Sequence, residues 1–221
     1  MDLTLTGLNL EVCLGYLDDI IIFSRTPEQH LVRLEQVLER LRRVNLKLKL
    51  NKCCLMQVKV NFLGHVISGE GIATDPEKVR LVKEWPTPRD LRQLRSFLGL
   101  AGYYRQFVNG YAKTAAPLNA MMKKSKAFLW TDDCQAAFEQ LKKALSTPPI
   151  LAMLDENAQY VLDTDACDHC IGAVLSQVQD GCEKVIAYAG RTLSQNEMNY
   201  CVTRKELLAI VHYTRHFRNI F

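Results

Sequence analysis

Tyr16-Leu17-Asp18-Asp19-Ile20-Ile21-Ile22-Phe23-Ser24 is the stretch from which the rest of the chain is read. A mostly apolar run from Leu10 to Leu17 leads into two adjacent carboxylates, and a β-branched run from Ile20 to Ile22 leads away from them. Two apolar strands joined by two acids predict a tight hairpin with both carboxylates at its exposed tip. Paired carboxylates there suit the holding of Mg²⁺ against phosphates, because that ion prefers hard oxygen ligands and phosphoryl-transfer sites use two such ions. Taken alone, the four residues read equally well as an acidic turn, so the surroundings decide.

Working outward, Thr26-Pro27 opens a helix whose apolar members Leu31, Leu34, Val37, Leu38, Leu41 and Val44 recur at three- and four-residue steps. Leu46 to Leu50 alternates apolar and basic residues, which predicts a half-buried strand with a cationic face. Val58 to Ser68 is a further strand region, broken at Gly64 and closed by Gly69 and Gly71. Asp75-Pro76-Glu77 opens a short helix ending near Trp85-Pro86. Thr87-Pro88-Arg89-Asp90 predicts another, with Thr87 as cap, Pro88 in first position and Asp90 favourable to the helix dipole. Its apolar residues Leu91, Leu94, Phe97 and Leu98 face one way, and Arg89, Arg92 and Arg95 lie offset from them. From Gly99 to Ala116 a turn and a tyrosine-rich helical stretch are expected. Trp130-Thr131-Asp132-Asp133 caps a helix that Pro148-Pro149 breaks, and the domain boundary is expected between there and Gln159.

The last section changes character. Tyr160 to Thr164, Ile171 to Val178 and Val185 to Ala189 predict three successive strands, with turns near Asp168 and at Gln179-Asp180-Gly181. Ser194-Gln195-Asn196-Glu197 is a capping box opening a helix towards Arg218. No internal repeat or low-complexity stretch interrupts this order.

Composition sets the class. Of 221 residues, 48% are hydrophobic and 24% charged, the balance of ordinary globular protein. No window approaches the ~18 apolar residues of a membrane span, and the first residues lack the basic start and apolar core of a secretory signal. An intracellular protein, cytoplasmic or nuclear and not secreted, is the expectation. The eight cysteines are irregularly spaced and only Cys167 and Cys170 form a C-x-x-C, so reduced, mostly buried thiols are expected rather than a disulfide scaffold or a zinc set. The net charge of +4 lies wholly in residues 1–110, which hold 16 Lys and Arg against 12 Asp and Glu, as expected of a half that touches a phosphate backbone.

The run from Tyr16 to Ser24, followed by His30, resembles the polymerase palm of gypsy-type long-terminal-repeat retrotransposon pol polyproteins, with Tyr16-Leu17-Asp18-Asp19 as the Y-x-D-D signature of reverse transcriptases. Asn51-Lys52-Cys53 and Phe62-Leu63-Gly64-His65 resemble that family's K-C motif and primer-grip hairpin. Trp85-Pro86-Thr87-Pro88, Leu94 to Leu100 and Tyr103-Tyr104-Arg105 resemble its thumb. Trp130 and the Ala137-Phe138 helix resemble its connection. Leu162-Asp163-Thr164-Asp165-Ala166, Gly172 to Ser176 and Thr203 to Ala209 resemble the opening of its ribonuclease H. The resemblance covers essentially the whole chain in family order.

The resemblance implies an α+β fold: the C-terminal part of a reverse-transcriptase palm (1–74), a helical thumb (75–116), a connection (117–158) and an incomplete ribonuclease-H-like β-β-β-α unit (159–221). It implies RNA-templated DNA synthesis with ribonuclease H, with Asp18 and Asp19 holding Mg²⁺ or Mn²⁺ in the polymerase and Asp165 and Glu206 holding it in the nuclease. Strand parity does not choose between Asp163 and Asp165; the family does. Implied partners are an RNA or DNA template–primer, an RNA–DNA hybrid, deoxynucleoside triphosphates and the remainder of the pol polyprotein, and no membrane. Arg92, Arg95, Tyr103, Tyr104 and Arg105 could follow the nucleic acid, or be a solvated helix face with core tyrosines. Cys167 and Cys170 depart from the family's usual serine and glycine. The resemblance also implies a further aspartate before this chain and a T-D-H segment after Phe221, so each metal site is half built in these residues and Met1 stands at an internal codon. The chain alone is then expected to perform neither reaction. A non-catalytic nucleic-acid-binding relic is the alternative, and an unstable fragment with open sheet edges a third.

Overall fold

A computed structural model describes residues 4–9, 11–122 and 128–220. The chain forms two compact units, Met1–Gly69 and Glu70–Phe221. The division falls five residues before the expected palm–thumb boundary, and the thumb, connection and ribonuclease-H-like stretches share the second unit.

In the first unit β1 (Cys13–Tyr16) and β2 (Asp19–Ile22) form an antiparallel hairpin in which Tyr16 faces Asp19. The turn is therefore Leu17-Asp18, with Leu17 in the left-handed region (φ 51), as the first residue of a two-residue hairpin turn often is. Leu10, at the head of the expected strand, lies outside the described residues. Behind the hairpin, α1 (Pro27–Arg43) starts with Thr26 accepting a hydrogen bond from the Gln29 backbone at 3.2 Å and Pro27 in first position. Its buried Val37 and Leu41 meet Leu5 and Cys13, and Arg40 Nη1 donates to the carbonyls of Thr4 (3.1 Å) and Thr6 (2.7 Å). Leu46 to Leu50 is not a strand. Its leucines are 45 to 75% exposed and Leu50–Lys52 is a 3-10 turn; alternation without a neighbouring strand to bond leaves the ladder unmade. A second hairpin, β3 (Lys59–Phe62) and β4 (His65–Ser68), turns through Leu63 and Gly64, both left-handed (φ 48 and 69). That pair of angles needs a glycine at one position at least to limit the strain.

The second unit begins with β5 (Gly71–Thr74), a strand that the glycine punctuation hid. Ile72 exchanges backbone hydrogen bonds with Leu151 at 2.8 and 2.9 Å. Helix α2 (Pro76–Lys83) is capped by Asp75, as the sequence suggests. Helix α3 (Leu91–Tyr103) starts later than expected, because Asp90, not Thr87, has the extended backbone and accepts from the Gln93 N–H at 2.7 Å. Arg89 consequently lies before the helix. Nor does α3 stop at Gly99: a mid-helix glycine costs only about 1 kcal/mol, and buried Leu94, Phe97 and Ala101 carry the helix through it. A 3-10 turn (Arg105–Phe107) leads to α4 (Tyr111–Met121), and Thr131 caps α5 (Asp132–Ser146). Phe97 and Phe138 pack at 4.6 Å in the middle of this helical layer, with Trp85 and Trp130 each 5.9 Å from one of them.

The final sheet has the order β6 (Gln159–Ala166), β7 (Cys170–Gln179), β8 (Cys182–Thr192), all antiparallel. The capping box at Ser194 holds only a one-turn helix, α6 (Gln195–Met198). Cys201, in an extended conformation, then starts α7 (Val202–His216), so the single helix expected here is two. One face of the sheet packs on α7 through Ile171, Ala173, Leu175, Ala209 and Tyr213. Its other face meets α4: a side chain at Gly190 would place Cβ 3.1 Å from that of Ala112. Tyr188 and Val185 also join the core of the helical layer. This shared core is why no division falls between Pro149 and Gln159.

Candidate active site

Two acidic sites emerge, each within its own unit. In the first, Asp18 occupies the β1–β2 turn and Asp19 the first position of β2, both exposed, beside exposed Tyr16 and Leu17. Only Asp18 sits at the tip. Asp19 is a ladder residue, and this ties its carboxylate to the strand register. Asn9 steadies the opposite strand, its side chain accepting from the Gly15 N–H at 3.2 Å. Magnesium is commonly held by one or two carboxylates with water in the remaining positions. The donor chemistry of this pair fits such an ion, although no group of three or more His, Cys, Asp or Glu that could hold a metal forms among the described residues. Phe62, Leu63, Gly64 and His65 form the tip of the second hairpin, all half-buried, and burial holds the His65 imidazole below its ordinary pKa.

In the second unit the register settles which way the β6 acids face. Asp165 lies opposite Gly172 and Gly190, and Asp163 opposite Val174 and Tyr188, so both point to the α4 side. They line a cavity of about 150 Å³ with Lys113, Cys167 and Cys170. Glu206 is half-buried on α7, which packs on the opposite face, and it does not line this cavity. The structure thus places Asp165 with Asp163, and Glu206 across the sheet from them.

The C-x-x-C flanks the β6–β7 turn, with the Cys167 N–H donating to the Cys170 carbonyl at 2.8 Å and the two sulfurs 2.7 Å apart. Burial works against a Cys167 thiolate, but the hydrogen bond from Cys170 and backbone donors outweigh it and lower its pKa; burial and then Cys167 push Cys170 up to about 12. No third sulfur or histidine joins them among the described residues. All eight thiols are free, but only Cys13, Cys134 and Cys170 are buried, fewer than composition led one to expect.

On α3, Arg92 and Arg95 are exposed together with Ser96, Gly99 and Tyr103, which share one helical face. Arg105 is exposed on the following turn. Tyr104 is 2% exposed, packed in the core and pushed up to about 12 by burial, so it is a core tyrosine and not a contact for sugar. Two polar residues escaped notice in the sequence. Lys205 is 7% exposed and pairs with Asp168 at 3.3 Å, and Lys113 faces the Asp165 cavity. The signal for Lys205 was present: it shares the inward stripe of α7 with Ala209 and Tyr213 at four-residue steps.

Comparison with known proteins agrees with this geometry. Residues 1–67 match the family described as reverse transcriptase (RNA-dependent DNA polymerase), and residues 130–221 match the RNase H-like domain found in reverse transcriptase. The chain is 43% identical over 208 residues to the Pol polyprotein from transposon 297 of Drosophila melanogaster, covering 94% of this chain and 19% of that protein. It is 38% identical over 212 residues to that from transposon opus of the same fly, covering 91% and 21%, and 35% identical over 205 residues to the Tf2-3 polyprotein of Schizosaccharomyces pombe, covering 92% and 15%. Among solved structures, a foamy viral protease-reverse transcriptase in complex with double-stranded DNA superimposes with a TM-score of 0.86 at 24% identity, over 99% of this chain and 38% of that one. The same viral protein with an RNA/DNA hybrid gives 0.82 at 24% identity, over 98% and 29%. The chain carries a reverse-transcriptase region and an RNase H-like region of the kind found in retrotransposon Pol polyproteins. It spans about a fifth or less of the length of the curated relatives it matches.

Proposed function

We propose that this chain supplies, within a longer Pol protein, the Y-x-D-D acids and primer-holding hairpin of an RNA-directed DNA polymerase and the first acids of its ribonuclease H. The observation that carries the reading is the β1–β2 hairpin, which presents Asp18 and Asp19 side by side and exposed in a stretch that matches the reverse-transcriptase family. Asp18 and Asp19 hold the ion in the polymerase, and Asp165 and Glu206 hold it in the nuclease. Bound Mg²⁺ or Mn²⁺ supplies Lewis-acid activation of the attacking oxygen and neutralises charge on the phosphate. Phe62 to His65 hold the primer end. Arg92, Arg95 and Arg105 meet the phosphates of a template–primer or RNA–DNA hybrid, and Tyr103 packs against sugar. Residues 1–74 serve as palm, 75–116 as thumb, 117–158 as connection and 159–221 as the ribonuclease-H-like part. Deoxynucleoside triphosphates are the substrates, and the work is done inside the cell, in cytoplasm or nucleus. No described helix is long and apolar enough to cross a membrane.

The test replaces the matched stretch of the transposon 297 Pol polyprotein with these 221 residues and measures Mg²⁺-dependent primer extension. Extension that Asp18→Asn or Asp19→Asn abolishes is the expected result; extension untouched by both would refute the assignment. The 221-residue chain alone should extend no primer. The exposed arginine face of α3 favours one second reading, nucleic-acid binding without catalysis. Replacing Arg92 and Arg95 with glutamine should then lower the salt dependence of binding by about two phosphate contacts.

A further inference from the structure

Phosphoryl transfer has no use for Cys167 and Cys170, yet the β6–β7 hairpin sets these two thiols against each other. The ladder pairs Ala166 with Ile171, so the next facing pair is Cys167 with Cys170, and the Cys167 N–H donates to the Cys170 carbonyl at 2.8 Å. Directly opposed residues of an antiparallel pair have Cα atoms about 4.5–5.5 Å apart, inside the roughly 4.4–6.8 Å that a disulfide spans. Opposed side chains also leave the same face of the hairpin, and here the two sulfurs lie 2.7 Å apart. A bond of about 2.05 Å needs only a small further approach. Cys13, Cys53 and Cys134 are engaged differently, donating to the Leu8 and Lys49 carbonyls and to the Met121 sulfur.

Access fixes the order of events. Cys170 is 8% exposed, whereas Cys167 is half-buried, and both line the cavity of about 150 Å³ beside Asp165. A sealed thiol is inert, but a partly exposed one with a second thiol against it reacts first and is then resolved by its neighbour. We propose that Cys167 and Cys170 form a dithiol–disulfide site that reacts with small-molecule disulfides and, when oxidised, crosslinks the end of β6 to the start of β7. The Cys167 sulfur attacks one sulfur of the small disulfide, whose S–S bond breaks; a mixed disulfide forms and one thiol leaves with the Cys167 proton. The Cys170 sulfur then attacks the Cys167 sulfur, the mixed disulfide breaks, and the second thiol leaves with the Cys170 proton. Two electrons pass from the cysteine pair to the small disulfide, which becomes two thiols. This holds whether or not Asp165 takes a metal ion.

The probe is glutathione, oxidised and reduced, equilibrated with the 221-residue chain. Free thiols are then blocked by alkylation and the sulfur bonds mapped by mass spectrometry. A Cys167–Cys170 crosslink is expected, with the loss of two hydrogens. Its formation consumes one oxidised glutathione and releases two reduced ones. Diluting both forms tenfold at a fixed ratio should therefore raise the disulfide-to-dithiol ratio about tenfold. A glutathione adduct on a single cysteine exchanges one for one and does not respond to dilution. Cys170→Ser should stop at the adduct on Cys167 and lose the response; if that variant does not fold, the dilution series on the parent chain decides. Glutathione held on Cys167 beside a free Cys170 in the parent overturns the proposal. So does a pair that stays reduced while exposed Cys54 carries glutathione.

Discussion

The two units bury their apolar side chains on different scales. In the first, Leu5, Cys13, Val37 and Leu41 form the buried core, while Leu17, Leu50 and Val58 stand 74, 75 and 92% exposed. In the second, Phe97, Phe107, Phe138, Leu141 and Leu145 are at most 1% exposed in the helical layer alone, and the sheet adds a further cluster with α7. Asp18 and Asp19 therefore ride on a thinly anchored hairpin, whereas Asp165 belongs to a sheet packed on both faces. The lesson is that the two catalytic assignments depend on the fold to different degrees: changes to the second core should reach its site, and changes to the first should act locally.

The largest expected effect breaks the second core. Phe97→Ala removes a ring packed on Phe138 and Trp85, and should cost about 3–5 kcal/mol. Both tryptophans of the chain, Trp85 and Trp130, lie in this layer, so their fluorescence in a urea titration reads the second unit by itself. Val37→Ala in the first unit should leave that signal's midpoint in place. Next is the contact between sheet and α4. Gly190→Val forces carbon into a space where even a Cβ would lie 3.1 Å from Ala112, and should cost about 1–3 kcal/mol by the same titration.

The smallest effect concerns pH. Arg191 grips Glu197 through two hydrogen bonds of 2.8 and 2.9 Å, and with the Ser194 N–H holds its pKa at about 2 against an ordinary 4.5. The folded pKa is depressed, so the stabilisation is full above about pH 4.5 and is lost as pH falls towards 2. Partial exposure of the pair discounts it to roughly 1–2 kcal/mol. Glu197→Gln should show that deficit at pH 7 and none near pH 2 in thermal melts.

Most of this architecture was legible in the chain because local chemistry and tertiary packing agree there. Thr26-Pro27, Asp75-Pro76, Thr131 and the Asp180-Gly181 turn each act where the sequence puts them. Where they disagree, the reading fails for identifiable reasons. Leu46 to Leu50 has a strand's alternation but no bonded strand among the described residues, and Gly71 to Thr74, a strand hidden behind its glycines, also makes an isolated bridge to Leu151 some eighty residues away. Asp90 rather than Thr87 caps α3 because side-chain reach to a particular N–H cannot be judged from residue type when two candidates stand three apart. Motif and family single out Asp18, Asp19, Asp165 and Glu206, but not the way these side chains face. That Asp165 and Glu206 lie on opposite sides of the sheet follows from register and helix packing, and that Lys205 joins Asp168 follows from a long-range contact that sequence spacing does not encode.

The most direct test of the central claim separates the two regions within one molecule. In the chimeric transposon 297 Pol protein, primer extension and cleavage of the RNA strand of a hybrid are measured side by side. Asp18→Asn should abolish extension and leave cleavage, and Glu206→Gln should abolish cleavage and leave extension. If either substitution leaves its own reaction at the parent rate, or if both reactions fall together in folded protein, the account of two acid sites on two separately anchored units is contradicted.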